Sequence, residues 1–157
     1  MIRISPKKLE GNWANGFALD YHIIKSFYIG DDAYGHPQFE TKRTEIGELL
    51  YRLKYSRDRS VTDMIVDIAV DFLKKKAWDI DLVIPVPPSR KRIFQPFLDL
   101  AEMIAGGLKK PFTMSCLKKV KDIPELKNIY NFDERMNLLS GAFQVDSSEV
   151  KHKRVVI

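Results

Sequence analysis

Asp81-Leu82-Val83-Ile84-Pro85-Val86-Pro87-Pro88-Ser89-Arg90-Lys91-Arg92 decides how this chain is read. Its branched apolar run is cut by prolines, which end a strand because they carry no N–H, and the chain then delivers a hydroxyl and three cations to one loop. The continuous apolar character from Leu82 to Val86 suits a strand covered on both faces, as in parallel sheets. In open parallel sheets, ligands settle beyond the carboxyl ends of the strands, where loops and helix amino ends present backbone N–H groups. Ser89, Arg90, Lys91 and Arg92 occupy that place. Backbone and guanidinium donors there suit an anion such as a pyrophosphate, which Arg90 and Arg92 can grip bidentately while Lys91 acts as a point charge. A basic turn that only meets solvent has the same pattern, and spacing alone does not separate the two.

Working outward, Ser60 and Asp63 make a box-like helix start, and Val61, Ile65, Ile68, Ala69 and Phe72 follow a 3.6-residue period. Asp63 and Asp67 come early and Lys74, Lys75 and Lys76 late, as the helix dipole favours, and the helix is expected to end near Trp78. Another helix starts near Pro96, carries Phe97, Leu100, Ala101, Ile104 and Leu108 on one side, and is expected to fray at Gly106-Gly107. Phe112 to Cys116 and Val155 to Ile157 are the next strand candidates, so at least three parallel strands are expected. Upstream, Thr44 caps a predicted helix to about Tyr55 through Ile46, Leu49, Leu50 and Leu53. Short aromatic and β-branched runs between Trp13 and Phe39, broken by Gly30-Asp31-Asp32 and Gly35-His36-Pro37, predict antiparallel strands with tight turns. The expected fold class is α/β: a Rossmann-like parallel sheet flanked by helices, with a small N-terminal antiparallel β hood. Residues 1–57 form the hood and first helix and residues 58–157 the α/β core, expected to make one compact unit.

The 157 residues are 45% hydrophobic and 30% charged, enough for one core. A net charge of +5 favours phosphates, nucleotides or nucleic acid as partners, although solubility alone explains such an excess equally well. The lone Cys116 excludes an internal disulfide framework and a four-cysteine zinc ribbon, and it suits a reducing compartment. No apolar run approaches the roughly eighteen residues that span a bilayer, so a cytoplasmic protein is expected.

Gly47-Glu48-Leu49-Leu50-Tyr51-Arg52-Leu53-Lys54-Tyr55, Val83-Ile84-Pro85-Val86-Pro87, Arg135-Met136-Asn137 and Gly141-Ala142-Phe143 follow one another in an order that resembles the ComF-type branch of the type I phosphoribosyltransferase-like proteins. The branch is named for late competence proteins of DNA uptake, and the likeness covers residues 12–157. It implies binding of phosphoribosyl pyrophosphate with Mg2+ at the strand ends, and transfer of the phosphoribosyl group to a nitrogenous acceptor. It further implies that Ser89, Arg90, Lys91 and Arg92 form the pyrophosphate loop. The stretch from Leu117 to Asn137 would then be the segment that closes over the site, with Lys118, Lys119, Lys121, Arg135 and Asn137 as its candidates. Closure suits an oxocarbenium-like transition state that must be kept from water while pyrophosphate departs. In the family the loop continues with glycine and ends in Asn-Gln, where this chain has Ile93-Phe94-Gln95-Pro96. The acidic pair and Thr/Ser-Gly turn that hold the ribose 5-phosphate follow a strand like Val155-Val156-Ile157. No catalytic residue is therefore assigned, and the chain is expected to continue beyond Ile157.

Other residues read more plainly. His22, His36, His152 and Cys116 lack metal-ligand spacing, so neither a structural zinc nor another metal is expected from them. Asp79 and Asp81 read as solvated residues at the start of a strand. Arg135 after Asp133-Glu134 suits a local ion pair as well as a site. Trp13, Phe17, Tyr21, Phe27 and Tyr28 near Lys7, Lys8 and Lys25 could stack single-stranded nucleic acid, but core aromatics of a small hood explain them better. Beside the enzyme stand a non-catalytic accessory that handles single-stranded DNA with the competence machinery, and a nucleotide-sensing regulator of the same fold. The acceptor base is not legible, and oligomeric state stays open, a homo-oligomer included.

Overall fold

The computed structural model describes residues 2–88, 95–124 and 126–157. They form a mixed α/β protein with five α-helices and small, mostly antiparallel sheets, and no closed barrel among the described residues. The chain divides into two units, Met1–Ala69 and Val70–Ile157.

In the first unit, β1 (Lys7–Lys8) pairs antiparallel with β2 (Phe17–Ala18), and Trp13 folds back over the connecting turn, its indole N–H donating to the Leu9 carbonyl at 3.0 Å. Gly11 and Gly16 make room for that ring, since a Cβ at either would lie within 2.4 Å of it. β3 (Ile23–Asp31) and β4 (Pro37–Arg43) form a second antiparallel hairpin. Asp32 closes its turn by accepting the backbone N–H groups of Tyr34 at 2.8 Å and His36 at 2.9 Å. Those donors hold the Asp32 carboxyl below its ordinary pKa.

The first helix, α1 (Glu45–Tyr55), is capped by Thr44, which accepts the Gly47 N–H at 3.0 Å and donates its own hydroxyl to the Tyr21 carbonyl at 2.6 Å. One side chain thus starts the helix and ties it to the chain entering β3. Ile46, Leu49 and Leu53 are buried at the predicted spacing. The next helix does not start at Ser60. Asp58 caps a 3-10 turn, Arg59–Val61, by accepting the Ser60 N–H at 3.0 Å, and α2 (Thr62–Lys76) follows. Asp58 outcompetes Ser60 because its carboxylate also takes an ion pair from Arg52. The Ser60 hydroxyl and then Arg52 keep the Asp58 carboxyl below its ordinary pKa.

In the second unit, β5 (Leu82–Val83) pairs parallel with β8 (Val155–Val156), and Val83 makes an isolated parallel bridge to Phe112 on its other edge. The strand expected to reach Val86 is therefore short: Ile84 still donates to the Val156 carbonyl at 2.8 Å, and the prolines beyond have nothing to donate. Phe112 to Cys116 is likewise not a full strand. Thr113 turns the chain by accepting the Ser115 N–H at 3.2 Å, and the strand that forms is β6 (Leu117–Lys119), antiparallel to β7 (Phe143–Val145).

Alternation along β5 covers both of its faces. Val83 packs with Ile80 and Ala105 under Leu73, Trp78, Leu108, Phe112 and Val156, while Leu82 and Ile84 pack with Cys116 under Leu117, Val150 and Val155. The branched side chains among them, Ile80, Leu82, Val83 and Ile84, contribute about 1.5–3 kcal/mol each when fully buried. The helix α3 (Pro96–Leu108) does not fray at its glycines. Gly107 lies against Val70, a Cβ there falling 2.7 Å from the Val70 side chain, and Lys109 closes the helix in a left-handed conformation at φ 55°. α4 (Phe132–Leu139) and α5 (Ser147–Val150) are capped by Asn131 and Asp146, which accept the N–H groups of Glu134 and Ser148.

The aromatic residues expected as hood core are mostly at the surface. Trp13, Tyr21, Phe27 and Tyr28 are 53%, 64%, 53% and 57% exposed. Among the described residues the hairpin that carries the last two has only two strands, and both of its faces meet solvent along most of their length.

Gly47 gives a test with an opposed sign. Alanine in a helix ordinarily gains about 1 kcal/mol over glycine, but a Cβ at Gly47 would sit 2.2 Å from the His22 carbonyl oxygen, a backbone atom that cannot rotate away. Overpacking costs about 1–3 kcal/mol. Gly47→Ala is therefore expected to lower stability in urea denaturation, and a more stable variant would refute the close approach.

Candidate functional site

The site expected from the sequence begins where the β5 ladder stops. Pro85 is buried, Val86 is exposed, and Pro87 and Pro88 are half-buried, so the chain leaves the apolar interior within a few residues of Ile84. Gln95 lies just before α3. Ser89, Arg90, Lys91 and Arg92 lie outside the described residues. Their described flanks are the carboxyl end of a strand with parallel neighbours and the amino end of a helix.

The candidates from the closing segment are spread out. Lys118 and Lys119 lie on β6, opposite Gln144 and Phe143. Adjacent strand residues point to opposite faces, so the two ammonium groups do not converge. Lys119 is half-buried on the Leu117 side, whereas Lys118 is exposed and its charge helps to lower the Asp146 pKa, after the larger effect of the Ser148 hydrogen bonds. Lys121 is exposed in the bend beyond β6. Arg135 and Asn137 lie on α4. Arg135 does not make the local ion pair with Asp133 or Glu134 that was one of its two readings: its Nε donates to the Ile129 carbonyl, which folds the guanidinium back on the loop before α4. Asn137 is exposed.

The base of the β6–β7 ribbon is tied to β5, because Leu117 and Cys116 pack with Leu82 and Ile84. Cys116 is wholly buried, and burial followed by the charge of Glu149 pushes its thiol pKa up, so it is held as an apolar thiol. In the Gly141-Ala142-Phe143 piece, Gly141 takes a left-handed turn at φ 65° after α4, Ala142 is fully buried, and Phe143 starts β7. Those three residues return the excursion between Val120 and Ser140 to the ribbon.

Two polar clusters were not foreseen. Glu149 accepts the Ser115 hydroxyl at 2.9 Å and the Thr113 hydroxyl at 3.2 Å, and those hydroxyls lie 2.8 Å apart. The cluster holds the turn after Phe112 to α5. The Thr-x-Ser spacing of a side-chain turn was its only sequence signal. The second cluster joins residues far apart in the chain. Arg154 donates Nε to Asp81 Oδ2 at 2.9 Å and Nη2 to Oδ1 at 3.2 Å, and its Nη1 lies 2.7 Å from Asp79 Oδ2. The Arg154 N–H also donates to the Asp81 side chain at Oδ2, 2.8 Å away, and the backbones join through the Asp81 N–H, which donates to the Arg154 carbonyl at 2.8 Å. Asp79 and Asp81 are thus ion-paired rather than merely solvated.

Among the described residues no group of three or more His, Cys, Asp or Glu side chains could hold a metal ion, and no helix is long and apolar enough to cross a membrane. The His36 ring lies 3.3 Å from Asp32 within its turn. No family model, curated protein or solved structure matches the chain.

The Arg154 guanidinium and N–H hold the Asp81 pKa at about 2, against an ordinary 3.8. A depressed carboxylate adds stability above its unfolded pKa and loses it as pH falls through the folded value. The stability gap between wild type and Asp81→Asn is therefore expected to be full above about pH 4 and to close towards pH 2. Urea denaturation across that range measures it, and a gap that does not vary with pH would show that the ion pair does not titrate with folding.

Proposed function

We propose that the chain is a phosphoribosyltransferase-like protein of the ComF type. It binds phosphoribosyl pyrophosphate or a nucleotide beyond the carboxyl end of β5 and, when complete, transfers the phosphoribosyl group to a nitrogenous acceptor. The observation that carries this reading is the parallel placement of β5 between β8 and Phe112, with its proline exit leading to Ser89. A parallel strand with neighbours on both edges is the arrangement in which the following loop meets a ligand. A larger Rossmann-like sheet extends that core in this reading. The antiparallel β6–β7 ribbon, rooted on the same apolar cluster, supports its closing segment.

Ser89, Arg90, Lys91 and Arg92 offer a hydroxyl and three cations, a donor set that fits a diphosphate and does not fit a divalent cation. Magnesium belongs in this reading to the diphosphate and not to the loop. The loop's role is to neutralise the pyrophosphate as it departs, and the ribbon's role is to exclude water. Replacing Arg90 and Arg92 together by alanine removes two charge-assisted contacts and is expected to weaken pyrophosphate binding by roughly tenfold or more. Stability should stay within about 1 kcal/mol. Calorimetric titration with pyrophosphate measures the first and thermal unfolding the second; equal affinities in variant and wild type would end the assignment.

The exposed aromatics favour a second reading, that of a single-strand-binding accessory. Lys7 Nζ lies 5.4 Å from the Tyr21 ring centroid and Lys25 Nζ 5.0 Å from that of Phe27, a pairing of cation and ring that suits stacked bases. Its signature is oligonucleotide binding that falls steeply with salt and ignores added pyrophosphate.

A further inference from the structure

β4 pairs only with β3 among the described residues, so each strand of that hairpin keeps one open edge. The two edges differ. β3 carries one extra residue between Ile23 and Lys25 and another between Tyr28 and Gly30, and such irregularities spoil an edge for further pairing. β4 runs without interruption from Phe39 to Arg43, each residue meeting its own partner on β3, and its only proline is the first residue.

The charges on this run are poorly matched inside the hairpin. Lys42 lies directly opposite Lys25, a like-charge pair that costs stability, and Glu40 lies opposite Phe27. Glu40 and Lys42 are exposed, and neither forms an ion pair among the described residues. They stand two residues apart on one face, with Thr41 between them on the other, next to Ser26 at 2.9 Å.

We propose that a second copy of this chain docks on the β4 edge, antiparallel, across a two-fold axis at Thr41. That operation sets Glu40 against the partner's Lys42 and Lys42 against the partner's Glu40. Both unpaired charges gain an opposite neighbour at once, and the excess positive charge at Lys25 and Lys42 gains a carboxylate. On the other face it brings Phe39, 55% exposed, alongside the partner's Arg43, whose guanidinium is already stacked on Tyr51 at 3.7 Å. The product is a four-stranded antiparallel sheet from two two-stranded ones, which removes two open edges and replaces isolated hairpins that are marginal alone in water. A two-fold axis requires one patch to complement itself, and Glu40-Thr41-Lys42 does so about its middle residue.

The test is charge exchange on the full chain, read by sedimentation equilibrium. Wild type is expected to be a dimer in reversible exchange with monomer. Glu40→Lys alone or Lys42→Glu alone creates like charges at two symmetry-related positions and should weaken association about tenfold. Glu40→Lys with Lys42→Glu restores both opposite-charge pairs and should restore the dimer. Lys42→Glu also relieves the Lys25 repulsion, so its monomer should unfold no more easily than wild type, which separates lost association from lost folding. A wild type that stays monomeric at its highest soluble concentration, single variants that associate like wild type, or a double variant that fails to recover would each overturn the proposal.

Discussion

The pairing of Arg154 with Asp81 is the constraint on which the arrangement of the second unit depends. The two residues are 73 positions apart, and their side chains and backbones meet at the start of β5 and β8. A parallel pair of two-residue strands has few ladder bonds of its own, so its register needs another determinant. A slip of one residue would exchange the faces of Val155 and Val156, taking Val155 out of the cluster of Leu82 and Ile84 and Val156 out of that of Val83. The bidentate guanidinium holds only one alignment. A lysine would supply the charge without the fork that selects the register.

With that register held, the positions of the remaining pieces follow from packing. α3 covers one face of β5 through Ala105 and Leu108, and its close contact with α2 at Gly107 and Val70 needs the small residue that lay in the sequence as a helix breaker. Cys116, Leu117 and Val150 cover the opposite face. The start of β6 is thereby pinned to the interior while Lys118 faces outward. The prolines after Ile84 act differently, by withholding donors, and so they end pairing at the point where the chain reaches the surface.

What could be read from the sequence divides by the range of the interaction concerned. The α1 pattern was legible because Thr44, Ile46, Leu49 and Leu53 report a local cap and one apolar stripe. The doubly covered character of β5 and its parallel sense were both legible from an unbroken apolar run. The replacement of Ser60 by Asp58 as cap was not, because it turns on Arg52, a residue of the preceding helix. The shortness of the strand at Phe112 was not, because Thr113 and Ser115 divert the chain with the help of Glu149, which lies 36 residues from Thr113. For the site, the cationic segment was legible as a pattern, whereas the opposite orientations of Lys118 and Lys119 depend on a pairing with β7 that composition does not carry. The exposure of Phe27 and Tyr28 was missed for a related reason: an aromatic run predicts a strand, and burial depends on whether another layer covers it.

The positive excess itself needs to be divided before it is counted towards an anionic partner. In the first unit, Lys7, Lys25, Arg43 and Lys54 each lie over an aromatic ring, at 5.4, 5.0, 3.7 and 5.1 Å from Tyr21, Phe27, Tyr51 and Tyr55. At exposed sites such contacts are worth about 0.5–1 kcal/mol each, and the aliphatic stems cover ring surface that would otherwise face water. These four cations therefore shield exposed rings on the hairpin, on α1 and on the chain before β3, a role that requires no ligand. Net charge alone does not point to a phosphate or a nucleic acid here. The case for an anion rests on the smaller group of cations that follows Pro88, where the end of a parallel strand supplies a geometric reason for charge to be gathered.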